Sequence, residues 1–199
     1  MIIKKKIGFS LKNEYRKSWD YIKESRNFIY SLVGVFLIFV LIGFFVPVPD
    51  FVTEQIMKFI QEILEKTHGM SMVELINFIF WNNLQSSFFG VIFGVLFGIF
   101  PLLASIANGY LVGFVGAMAV EAEGLSTLLR LLPHGIFELP AIFISFGLGL
   151  KLGTFVFQDK KVESFKDYLL NSLRVFLFVV IPLLIIAAII EGMLIFLSG

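Results

Sequence analysis

His134 and Glu138 stand four residues apart within Leu132-Pro133-His134-Gly135-Ile136-Phe137-Glu138-Leu139-Pro140, at the mouth of a long apolar run. On a helix this spacing puts both side chains on one face, one turn apart. An imidazole beside a carboxylate can ligate a metal, pass a proton or hold a polar ligand. In hydrocarbon such groups are costly and turn toward a bundle interior, so the pair marks a candidate site. Glu191 is the only charged residue after Arg174 and completes a conceivable His134–Glu138–Glu191 donor set. A divalent metal such as zinc is the one cofactor that set would take. No catalytic residue is assigned: HExxH, G-x-S-x-G and P-loop patterns are all absent.

Asn82, Asn83 and Asn108 are further polar side chains inside apolar runs. Two readings apply to the whole group. Buried polar residues hydrogen-bond between helices, contributing about 1 kcal/mol or less each. Alternatively, Asn83, Asn108, His134, Glu138 and Glu191 form a site for a metal, a proton or a polar substrate. As a first-turn residue, His134 would feel the positive end of its helix, which favours neutral imidazole.

These residues need a membrane to make sense. Of 199 residues, 58% are hydrophobic, 25 are Phe and only 16% are charged, with a mean hydropathy of +0.91. Ordinary globular chains are about a quarter charged, and a soluble domain this small could not bury so much apolar surface. The expected fold is all-α: a polytopic transmembrane bundle of about five spans plus two interfacial amphipathic helices. Cysteine is absent, which excludes disulfides and thiolate chemistry. No basic patch interleaved with aromatics suggests nucleic acid.

Residues 1–26 read as a basic amphipathic cytoplasmic segment, and 27–199 as one transmembrane helical domain. In the first, Leu11, Tyr15, Trp19 and Ile22 recur at helical spacing among eight basic residues, the pattern of a helix lying on an anionic leaflet. That largely polar start reads as carrying no cleavable signal. Spans are expected at about 27–46, 75–100, 102–120, 133–157 and 173–197, each near the 20 residues a bilayer needs. Pro133 would open the fourth as a first helical residue, and Pro182 would kink the fifth. Ser126–Leu132 would be an interfacial or re-entrant turn. Between the first two spans, residues 50–66 form an outer amphipathic helix with Asp50 as its N-cap.

Charge orients the bundle. Thirteen of the 16 basic residues lie in 1–26 or 151–174, while Leu75–Val120 carries no charge. Basic loops stay inside, so the N-terminus is expected in the cytoplasm and the C-terminus outside. Glycine and other small residues supply a second pattern: Gly90, Gly94 and Gly98 recur every fourth position, as do Ser105, Gly109, Gly113 and Ala117. Such stripes let helix backbones approach, within or between subunits, and suggest a homo-oligomer such as a dimer.

The chain resembles the stage II sporulation protein M family of integral membrane proteins. The resemblance rests on Asn83 followed by Gly90 and Gly94, Asn108-Gly109 with Gly113, the His134-Gly135-Ile136-Phe137-Glu138-Leu139-Pro140 block, and Ala187-Ala188-Ile189-Ile190-Glu191. It implies a multi-pass protein of the cell membrane without enzymatic activity of its own. It further implies a scaffold or assembly factor that works with other membrane or envelope proteins; relatives in spore formers act in engulfment. The alternatives are a transporter or channel using the polar cluster, and an intramembrane metal-dependent hydrolase.

Overall fold

The computed structural model describes residues 10–47 and 49–198, with the side chains of 129–134 and 198 outside that description. All regular elements among these residues are helical: α1 (Leu11–Glu24), α2 (Arg26–Phe45), α3 (Asp50–Thr67), α4 (Met72–Ile92), α5 (Ile99–Glu123), α6 (Leu128–Gly153), α7 (Lys161–Val175) and α8 (Ile181–Ser198).

Local chemistry sets the helix ends. α2 stops at Val46, which is extended because Pro47 disfavours a helical conformation in the residue before it. Pro49, not Asp50, occupies the N-cap of α3, and Asp50 becomes its first helical residue, close to the positive end of the helix. α4 opens with a capping box, in which Glu74 Oε2 accepts hydrogen bonds from the Ser71 N–H and hydroxyl, both at 2.8 Å. α4 and α5 are joined by a single 3-10 turn (Phe93–Val95) and a left-handed reversal at Phe97 (φ 56°) and Gly98 (φ 71°). Pro101 then falls in the first turn of α5, where no N–H is required.

Several expected boundaries are corrected. The span at 75–100 ends at Ile92, and Gly94 and Gly98 lie in the turn beyond the helix. Among the described residues, four helical stretches are long and apolar enough to cross a membrane: Arg26–Phe45, Ile99–Glu123, Gly135–Phe157 and Lys161–Leu197. α4 is not among them, because Asn82, Asn83, Gln85, Ser86 and Ser87 dilute its hydropathy. It nevertheless lies along α6 and α8, with Ile76 against Gly192 and Gly90 against Phe146. α6 begins at Leu128, so Pro133 sits in its second turn and 128–132 is ordinary helix rather than a re-entrant turn. Gly124 (φ 84°) ends α5, and one 3-10 turn (Leu125–Thr127) suffices to start α6. α7 and α8 form one long rod, joined by a π-helical turn at Phe176–Val180 in which the Ile181 N–H donates to the Phe176 carbonyl five residues back. This wider turn precedes Pro182, whose ring excludes the normal bond to residue 178.

Packing uses the small residues inside the chain. α2 and α5 share the most extensive interface. A Cβ at Gly113 would collide with the Val40 carbonyl, and one at Gly94 with the backbone of Gly149, so at both places helix backbones touch. Gly90 faces the Phe146 ring and Gly98 the Leu150 side chain of α6, while Gly109 meets the Phe36 carbonyl of α2. The stripes are therefore spent within one subunit, and the argument they supplied for a dimer falls away. The core between α4, α6 and α8 is apolar, built on Val91, Ala141, Phe176, Val180 and Leu184. α3 has no buried residue; its half-buried Val52, Ile56, Ile60 and Ile63 share one side, while Phe51, Met57, Phe59 and Leu64 are exposed.

Candidate functional site

α6 presents Glu138, Ala141, Ile142 and Ser145 on successive turns. Ala141, Ile142 and Ser145 are buried, so this face is the inward one. Glu138 is half-buried at its outer end. α8 brings Glu191 to the same cleft. Together they line a cavity of about 310 Å³, whose other walls are Leu111, Val112 and Val115 of α5 with Gly135 and Leu139 of α6. Among the described residues, Glu191 Oε2 is buried without a hydrogen-bond partner. Two acids in an otherwise apolar cleft can hold a proton or a cation between them.

Asn108 and Asn83 stand apart from this pair. Asn108 is exposed, and its amide donates to the Ala104 carbonyl at 2.7 Å. It lines a separate groove of about 460 Å³ between α5 and α3, whose walls include Val52, Gln55, Ile56 and Phe59. Leu111 borders both spaces, which makes Asn108 a neighbour of the acid cavity without a contact to either acid. Asn83 is buried on α4 and accepts a hydrogen bond from Asn82 at 3.3 Å. The side chain of His134 lies outside the described residues. Its backbone falls in the second turn of α6, so the first-turn dipole argument for it does not hold. Among the described residues, no group of three His, Cys, Asp or Glu could hold a metal. Glu138 and Glu191 by themselves are two donors, fewer than the three or four protein ligands of a zinc site.

A second polar centre, at the other end of α6, escaped the sequence reading. Lys151 is buried (4% exposed) in the last turn of α6. Its Nζ donates to Glu24 Oε1 at 2.8 Å and to Ser25 Oγ at 3.2 Å, and sits 4.0 Å from the centre of the Tyr21 ring. Tyr168 of α7 adds a second ring at 5.2 Å. Burial raises the Tyr21 phenol above its usual range, so it stays neutral, and its hydroxyl donates to the Tyr168 carbonyl at 3.4 Å. About two turns further along, Arg174 Nε donates to Glu14 Oε2 at 2.7 Å. The signal in the sequence was a single lysine among Gly147, Gly149 and Gly153, closing an apolar run.

A family model described as Stage II sporulation protein M matches residues 32–194. Two uncharacterized proteins of Methanocaldococcus jannaschii are similar to the chain. One is 37% identical over 120 residues, covering 55% of this chain and 65% of that protein. The other is 30% identical over 194 residues, covering 94% of this chain and 86% of the relative. No solved structure matches.

Proposed function

Because this chain belongs to the stage II sporulation protein M family, we propose that it is a non-enzymatic multi-pass scaffold or assembly factor of the cell membrane. The observation that carries this reading is the set of backbone-to-backbone seams, α2 on α5 and α4 on α6. Seams of that kind make a rigid frame, because packed interfaces without side-chain slack do not slide continuously. A rigid frame suits holding other membrane or envelope proteins, or a second copy of itself, in fixed relation. Basic-inside orientation would place α1 and α7 in the cytoplasm and α3 outside. Native mass spectrometry of the protein extracted into nanodiscs tests the assembly. A complex larger than one chain is expected, and a strictly monomeric, partner-free protein would overturn the proposal.

A second reading, transport or conduction of a proton or small cation, is favoured by one observation: the unpaired Glu191 oxygen beside Glu138 in the α5–α6–α8 cavity. Proteoliposome flux compared with Glu138→Gln and Glu191→Gln separates the two. Flux lost by tenfold or more in both variants would move the protein to this class, whereas absent or unchanged flux leaves the pair a structural one.

A further inference from the structure

The faces of α1 are allocated in an unusual order. Glu14, Ser18, Tyr21 and Ser25 pack against the bundle, so the helix docks through polar groups. Of the apolar stripe that borders that face, Ile22 packs against Tyr21, Leu148 and Val175, while the rest is left open, with Leu11 58%, Tyr15 50% and Trp19 56% exposed. Beyond the stripe, at about 100° per residue, come Lys12, Arg16 and Lys23, all exposed. The acids are sorted to the other side. Glu14 is paired with Arg174 and Lys17, Glu24 with Lys151, and Asp20 lines a polar groove with Asp167 and Asn171 of α7.

Depth is set independently. The Tyr15 ring meets Phe178 edge-on at 5.7 Å. Phe178 lies in the uncharged run that follows Arg174, about 6 Å further along the α7–α8 rod by helical rise. The open stripe therefore lies level with the start of the membrane-spanning part of the rod, and the Asp167 groove opens on its watery side.

We infer that the Leu11–Tyr15–Trp19 stripe and its basic border form a binding surface for anionic phospholipid. The stripe enters the upper acyl region, and Lys12, Arg16 and Lys23 meet headgroup phosphates. Charge complementarity selects this occupant: an apolar band edged by three cations, with its acids turned away, matches a negatively charged leaflet and not a neutral one. Trp suits the boundary, since its ring is amphipathic, and the Lys23 ammonium lies 5.8 Å from the Trp19 ring.

The full chain carrying Trp81→Phe leaves Trp19 as the single tryptophan. Reconstituted into vesicles of phosphatidylcholine with or without phosphatidylglycerol, it should show Trp19 emission quenched by bromines near the carbonyl end of the acyl chain and shielded from acrylamide. Native mass spectrometry should retain phosphatidylglycerol over phosphatidylcholine. Each of Lys12→Gln, Arg16→Gln and Lys23→Gln should lower that preference by roughly fivefold at low salt, and high salt should do the same to the parent. Trp19 open to acrylamide and untouched by brominated lipid would overturn the inference, as would an apolar protein partner covering the stripe. Quenching with no headgroup preference would overturn it equally.

Discussion

At the scale of single residues, Lys151 is the most constrained charge in the chain. Its neighbours come from three places: Tyr21 and Glu24 on α1, Ser25 between α1 and α2, and Tyr168 on α7. Lys151→Met keeps the apolar stem but removes the donor. Glu24 is largely exposed and can rehydrate, which limits the loss to about 1–2 kcal/mol from the ring and hydroxyl contacts. Denaturant unfolding in detergent checks that figure, and an unchanged midpoint would show the contacts to be idle. Glu14 supplies a pH dependence. The hydrogen bond from Lys17, then that from Arg174, holds its carboxyl below the ordinary value of 4.5. The folded form thus binds a proton less readily than the unfolded form, so the contribution of Glu14 is whole above pH 4.5 and fades as the pH falls beneath it. Protease protection of α1 should weaken over that acid range, and Glu14→Gln should be loosened already at neutral pH without further change.

At the scale of elements, the glycine seams make the sharpest demand. Gly113→Ala places a methyl group on the Val40 carbonyl, which forces α2 and α5 apart and should cost about 1–3 kcal/mol. Gly34→Ala, on α2 with nothing within 4 Å, is the control and should be near neutral. Unfolding of both variants in mixed micelles decides the matter. Much at this scale was legible. Apolar runs of bilayer length announced α2, α5, α6 and α8, and the alternation of apolar and charged residues announced α1 and α3. The helix ends were harder to read. Pro133 looked like a first helical residue because proline is welcome there, yet Leu128–Leu132 is apolar enough to continue the helix upstream of it. Gly94 and Gly98 fitted a helical stripe by spacing, and only the left-handed reversal at Phe97–Gly98 shows them to be a connection. The pairing of Glu138 with Glu191 followed from cost: an acid in each of two apolar helices has few other places to go. Lys151 and Arg174 were counted merely as inside charges, because their partners are far away in sequence and no local periodicity links them.

At the scale of the whole molecule, the two ends of the bundle differ in kind. One end gathers α1, the end of α6 and the start of α7 around ion pairs; the other holds α3, the start of α4 and the end of α8. Basic-inside orientation predicts that these ends face opposite compartments. The chain has no cysteine, so single replacements report cleanly. Ser10→Cys should react with a membrane-impermeant maleimide only after permeabilisation, and Ser71→Cys should react in intact cells. The reverse pattern would invert the bundle and place the acid pair in the opposite leaflet.

The Glu14–Arg174 contact closes a loop of 160 residues. On the ribosome, α1 is made before its clasp, with α2 to α6 made between them. Lys151 of α6 can reach Glu24 first, whereas the Glu14 end of the polar flank stays uncovered until Arg174 has been made, so the last closure on this side follows insertion of α6. A protein shortened before Arg174 would hold α1 through α6 only, and quality-control proteases would meet a loosely docked helix.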